Sequence, residues 1–276
     1  AAAKGVGRLC ERLPQEFADQ VLAALMDRAF GSVGTSHRAW HGGCLALAEL
    51  ARRGLLLPHR LESVIPVVCT ALHYEHTTGG FAIGQHVRDS ACYAAWAFAR
   101  AYDKKVLAPY VPELAAALLQ VALYDREVNC RRAAAAAVQE HVGRQGQFQN
   151  GIDVVTLCDY WTLSARRNAY LSVAPRIAEL GYAAALVVHL VDRKLQHGDL
   201  KIRCLAAEGL AVLAPLDSVR SQINNEVIPV LIKRALGEGL SGARATAAAR
   251  HGALQALAQL VLATPAAIST ENQGEL

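Results

Sequence analysis

HGGCLALAEL at residues 41–50 returns 210 residues later as HGALQALAQL at 251–260, with His, Gly, Ala, Leu, Ala and Leu at matching places. A segment of helical period that recurs within one chain marks stacked units, each burying its apolar face only against its neighbours. Arrays of that kind work by presenting a long surface, so recognition is expected ahead of chemistry.

Working outward, the same pattern of a basic residue followed by small and apolar residues at three- and four-residue steps recurs in VRDSACYAAWAFAR from Val87, CRRAAAAAV from Cys130, RRNAYLSVAPRIAEL from Arg166 and IRCLAAEGLAVLA from Ile202. Each reads as the inner helix of a pair. With His41, Arg88, Arg131, Arg167, Arg203 and His251 as markers, the intervals run from 36 to 48 residues, which brackets the period of roughly 40–47 in HEAT and armadillo repeats. Partner helices are expected near Gln15–Phe30, His59–His73, Val106–Leu123, Tyr182–Gln196 and Ser218–Leu236, with Pro66, Pro112 and Pro229 bending three of them. The fold class predicted is all-α, a HEAT/armadillo-like α-solenoid built as a right-handed superhelix of helical hairpins. The array should cover residues 1–263 in about six repeats with a partial first repeat, and 264–276 should form a frayed tail or linker. Residues 1–14 read as a second helix without its first, so further repeats are expected upstream.

Composition agrees with this reading. The chain has 276 residues, 53% hydrophobic and only 6% aromatic, which suits closely packed, alanine-rich helices better than a sandwich or barrel. The net charge of +4 is spread over separated pairs such as Arg52-Arg53 and Arg166-Arg167, so no nucleic-acid partner is expected. No membrane span is expected either, because the best apolar candidate, Tyr182–Val191, is short and carries His189. Residues 1–14 lack a secretory pattern, and a cytoplasmic setting is expected. The seven cysteines are scattered through apolar patterns and read as reduced core residues.

Signals for chemistry are weak. Gly143, Gly146 and Gly151 interrupt the helical pattern between Gly143 and Trp161, where a non-helical stretch is expected, but no Gly-Lys-Ser/Thr follows as a phosphate loop would need. His73-Tyr-Glu-His76 lacks the spacing of a zinc site and reads as a solvent-facing helix end. No catalytic residue, cofactor or metal is therefore expected. Glu127 and Asp199 stand four residues before Arg131 and Arg203 and suggest an acid-to-arginine ladder along one edge. Trp40, Trp96 and Trp161 are possible anchors for a partner, with buried packing the preferred reading of Trp96, which is flanked by Ala95 and Ala97.

Three blocks carry a family resemblance: AWHGGCLALAELARRGLLLP at 39–58, VRDSACYAAWAFARAY at 87–102 and DREVNCRRAAAAAVQEHVGRQGQFQNGID at 125–153. They resemble the tubulin-specific chaperone D family, also called tubulin-folding cofactor D, and AAAKGVGRLCERLP and HGALQALAQL are similar to it in the same order. The resemblance implies an interior HEAT-repeat stretch of a large cytosolic, cytoskeleton-associated chaperone. Such a chaperone captures β-tubulin and helps assemble or disassemble the αβ-tubulin heterodimer, with cofactors E and C and an ADP-ribosylation-factor-like small GTPase as partners. It also implies an influence on GTP hydrolysis in the complex. Candidate partner-binding residues are the polar ones in the matching blocks: His41, Arg88, Asp89, Asn129, Arg131, Arg132, Arg144, Gln145 and Asp153. The competing expectations are another HEAT scaffold, such as a nuclear-transport receptor or phosphatase subunit, and a GTPase activator that inserts an arginine.

Overall fold

A computed structural model describes residues 1–31, 36–78, 81–239 and 243–263. The tail expected after residue 263 lies outside the described residues. The chain divides into two compact units, one of residues Ala1–Tyr160 and one from Trp161 onward. Both are built from helices, and the armadillo-like all-α class holds.

In the first unit α1 (Ala2–Cys10), α3 (His37–Arg52), α5 (Gln85–Ala101) and α8 (Val128–Gln145) lie side by side in one row. Alanine makes this possible. Ala46 and Ala48 of α3, Ala91, Ala94, Ala95 and Ala97 of α5, and Ala134 and Ala137 of α8 are all buried, so the rods approach closely and leave few side-chain rotamers to order. Behind the row, α2 (Gln15–Phe30) covers α3, α4 (Leu61–Leu72) packs on α5, and α7 (Val111–Tyr124) packs on α4 and α8. The short α6 (Lys104–Leu107) leads into α7. Residues 2–10 form the helix of the front row that lies beside α3. Gly7 explains the fit, since a Cβ there would press on the Arg53 side chain at 3.2 Å.

Two features depart from the sequence expectation. The His73–His76 segment ends α4 and opens a two-stranded antiparallel hairpin, β1 (His76–Thr78) with β2 (Phe81–Ile83), in the register His76 to Ile83. The interruption expected from Gly143 is mostly helical: α8 continues to Gln145, and α9 (Gly151–Leu157) follows after a short turn. Only Gly146 needs its glycine freedom. It takes φ +60° and donates its N–H to the carbonyls of His141 and Val142, which closes α8.

In the second unit α10 (Arg166–Asn168), α11 (Ala174–Ile177) and α12 (Ala183–His189) are joined by π-helical turns at Ala169–Val173 and Ala178–Tyr182. Gly181, at φ +102°, breaks the rod there into two arms, where the expected inner and outer helices were to meet. Then come α13 (Leu200–Leu213), α14 (Asp217–Gln222), α15 (Ile228–Leu236) and α16 (Ala243–Ala263), with α16 packed on both α13 and α15. The expected proline bends appear as changes of helical register. A 3₁₀ turn (Ala108–Tyr110) precedes Pro112, and a π turn (Ile223–Val227) precedes Pro229. Proline lacks the N–H that would continue the α ladder. Pro66 sits inside α4 itself.

Two helical stretches, Lys104–Tyr124 and Arg166–Lys194, are long and apolar enough to cross a membrane on length and composition alone. The first contains the 3₁₀ turn and the second the Gly181 break. About half of each stretch is buried within its unit, Leu114, Leu118, Leu186 and Leu190 among the buried side chains.

Candidate functional site

On α5 the residues Asp89, Tyr93, Trp96 and Arg100 follow at steps of four, three and four, so they form one stripe along a single helix face. The stripe borders a cavity of about 640 Å³ shared by α1, α3, α5 and α8, with Leu45, Glu49, Tyr93, Trp96, Ala133 and Ala136 in its wall. Trp96, for which buried packing was the preferred reading, is partly exposed here. Its ring stacks on Tyr93 with centroids 5.7 Å apart and an interplanar angle of 14°.

Arginines brace the aromatic pair from both sides. From α3, the Arg52 guanidinium donates to the Tyr93 hydroxyl at 2.7 Å. From α5 itself, Arg100 lies over the Trp96 ring, 4.8 Å from its centroid. Arg100 also donates to Glu140 of α8 at 3.0 Å, and Glu140 accepts a second, short bond from Arg144. These two arginines hold the Glu140 carboxyl below the usual carboxylate range despite some burial. Glu49, at the far end, is paired with Arg52 and Arg53. The result is a continuous chain of contacts across three neighbouring helices, Glu49–Arg52–Tyr93–Trp96–Arg100–Glu140–Arg144. Arg52, Arg100 and Arg144 are 43%, 41% and 48% exposed, so the guanidinium groups face outward while their carboxylate partners lie deeper.

The candidates taken from sequence fall into two groups. Arg88, Arg131 and Gln145 are buried. Arg88 forms a two-point pair with Asp125, at 2.5 and 3.1 Å, and also donates to the Tyr74 carbonyl. Arg131 donates to the carbonyls of Asp125 and Arg126, and Gln145 donates to those of Ala99 and Tyr102. All three tie turns to helices inside the unit. The acid-to-arginine ladder expected between Glu127 and Arg131 is thus a grip of Arg131 on the turn before its own helix, while Glu127 pairs with Arg126 at 3.0 Å.

His41, Asp89, Asn129, Arg132, Arg144 and Asp153 keep surface access. Asp89 and Arg144 flank the aromatic pair. Partial burial pushes the Asp89 carboxyl up, while the nearby His86 and His41 rings pull the other way. His41 lies 6.0 Å from His86, centroid to centroid. Arg132 stands 3.6 Å over the Tyr160 ring, and Asp153 occupies the first turn of α9. Trp40 packs edge-on against Phe30 at 4.9 Å, whereas Trp161 is exposed.

Sequence reasoning missed Tyr93, Arg52, Arg100 and Glu140. A signal was present: Arg52, Arg100 and Arg144 close the ends of their helices 48 and 44 residues apart, at the period of the repeat.

The cysteines serve mainly as core residues. All are free, and six of the seven are buried, Cys204 being the partial exception. Burial pushes the Cys44, Cys130 and Cys158 thiols up to about 12, away from the reactive thiolate. Among the described residues no group of three or more His, Cys, Asp or Glu is arranged to hold a metal.

Comparison with known proteins places residues 1–152 in a family described as "Tubulin-specific chaperone D-like, ARM repeats". The whole braced row, from Glu49 to Arg144, lies in that span. Tubulin-specific chaperone D of Dictyostelium discoideum is 39% identical over 267 residues, covering 95% of this chain and 17% of that protein. Tubulin-folding cofactor D of Schizosaccharomyces pombe is 30% identical over 226 residues, covering 78% of this chain and 20% of that protein. The chain therefore spans a fifth or less of the length of these relatives. No solved structure matches it.

Proposed function

The chain belongs to the tubulin-specific chaperone D-like family of ARM-repeat proteins, and from that premise we propose that it is a stretch of scaffold through which a tubulin chaperone holds its client. In this reading the full chain captures β-tubulin and helps assemble or take apart the αβ-tubulin heterodimer. It works in the cytoplasm beside the cytoskeleton, with tubulin-folding cofactors E and C and an ADP-ribosylation-factor-like small GTPase. The chain itself acts by binding, and any effect on GTP hydrolysis belongs to the assembled complex.

One observation carries the reading: the Tyr93–Trp96 pair is held rigid between Arg52 and Arg100 at the surface of the row. Aromatic and arginine side chains dominate the energetics of protein interfaces, and an anchor already fixed in place loses little entropy on binding. Charge-assisted contacts of Arg100 and Arg144 with Glu140 extend that order to the next helix.

The test is capture of purified αβ-tubulin by the full chain, compared with an Arg100→Glu, Arg144→Glu variant whose melting behaviour is unchanged. The expected result is capture by the native chain and a loss of at least about tenfold in affinity for the variant, as for reversed charges at an interface. No capture by the native chain overturns the scaffold reading. Equal capture by both removes this face from it.

A further inference from the structure

The charges around the α5 stripe are not evenly matched. Arg100 and Arg144 share the single carboxylate of Glu140, so that end of the stripe keeps one positive charge in excess. At the other end Asp89 is exposed and forms no ion pair among the described residues, with the His41 and His86 rings the charged neighbours that act on it. Asp89 and Arg100 are eleven residues apart on one helix, a span of about 16 Å or three turns. Between them lies the cavity of about 640 Å³, walled on the α8 side by Ala133 and Ala136 and on the α1 side by residues that include Lys4. Small side chains on that wall let another backbone approach to the 8–10 Å typical of packed helices.

We infer that this groove receives one helix of a protein partner, laid along α5, with a carboxylate set against Arg100 and Arg144, a cation against Asp89 and a bulky apolar side chain between them in the cavity. The inference rests on the scaffold reading and adds to it the chemistry of the segment that is held. Three features select such an occupant. The uncompensated charges at the two ends of the α5 stripe, on Asp89 and on the Arg100–Arg144 pair, are opposite in sign, and Lys4 adds a further cation on the α1 wall. The apolar cavity and the braced Trp96 lie between them. Their separation matches residues at i and i+11 on one face of a helix. An acidic or basic helix of uniform sign would meet a like charge at one end.

The experiment uses the full chain and two fluorescein-labelled 20-residue alanine-rich helices. One carries Glu and Lys eleven residues apart with Phe midway on the same face, and its twin has Gln in place of both charges. Fluorescence anisotropy is expected to show the charged helix binding about tenfold tighter than the twin, as two partly exposed ion pairs allow. Asp89→Asn should remove about a threefold share of that advantage. Ala136→Trp, which fills the groove from an exposed position, should abolish binding of both helices while leaving the melting curve unchanged. Equal affinity for the twins, no binding of either, or binding indifferent to Ala136→Trp each overturns the inference. Tubulin capture that persists alongside such a failure leaves the scaffold reading standing without this groove. A positive peptide result with no tubulin capture keeps the groove and discards the client.

Discussion

The turn that enters α8 in the first unit and the turn that enters α13 in the second are built to one hydrogen-bonding plan that opens on different residues, Asp125 and His197. In each, an arginine grips the carbonyls of the residues six and five positions before it: Arg131 holds those of Asp125 and Arg126 at 2.9 and 3.3 Å, and Arg203 those of His197 and Gly198 at 2.7 and 3.0 Å. In each, the side chain six before the arginine accepts the N–H two residues on: Asp125 that of Glu127 at 2.8 Å, His197 that of Asp199 at 2.8 Å. The difference is charge. A buried carboxylate needs a cation, and Arg88 reaches over from α5 to supply it. In the second turn the corresponding side chain is an imidazole, and Arg203 also meets the ring of His251 on α16, at 3.3 Å. The backbone grip is the feature the repeats share, and the ionic link is a local consequence of having Asp in place of His.

The largest break in this comparison should come from Arg88→Leu, which leaves the Asp125 carboxylate buried and unpaired and should cost about 3–5 kcal/mol in urea unfolding. Adding Asp125→His converts the first turn to the plan of the second and should recover most of that loss. A double variant no more stable than the single would show that the two turns are not interchangeable.

Next in size is an effect of pH. His141, fully enclosed in α8, donates from Nε2 to the Ala95 carbonyl at 2.9 Å and stacks on Phe148. Burial holds its imidazole down from 6.5 to about 4. The unfolded chain therefore binds a proton between these values that the folded chain refuses, and stability falls as pH drops from 6.5 towards 4. The loss should reach about 3 kcal/mol at the acid end. His141→Gln, which keeps a donor for Ala95, should flatten that part of the profile in hydrogen exchange of α8. An unchanged slope would assign the acid sensitivity elsewhere.

The smallest pair of effects separates the two copies of the repeated HG. Gly42 and Gly252 match in sequence, yet a Cβ at 252 would collide with the carbonyl oxygen of Leu195, whereas a Cβ at 42 meets open space. Gly252→Ala should therefore destabilise by about 1–3 kcal/mol through overpacking. Gly42→Ala should stabilise by up to about 1 kcal/mol, because alanine favours the helix. Thermal melts that move the same way for both would contradict the packing seen here.

Much of the architecture was legible before any coordinates. The spacing of apolar residues marks the helices, the recurring basic residue marks the front of each hairpin, and the prolines mark where the rear helices change register. The hairpin at 76–83 was not legible, because a strand pair of three residues each leaves too short a pattern to read. Of the proposed binding face, the sequence offered Asp89, Arg144 and, as an anchor read more readily as core, Trp96, but concealed Tyr93, Arg52 and Arg100.

What the sequence by itself determined is that this chain folds as alanine-rich helical hairpins, since periodicity and composition are local properties of the chain; its likeness to a tubulin-chaperone family lay in particular blocks of residues. Which arginines go in and which stay out was decided only by tertiary structure. Arg131 and Arg132 are adjacent on one alanine-rich helix, yet Arg131 is buried against its turn and Arg132 lies over Tyr160. Alanine is nearly as content on a buried face as on an exposed one, so the helix carries too little contrast to say which side faces its neighbours. The carbonyls, carboxylates and rings that adjacent helices bring to each arginine settle the matter.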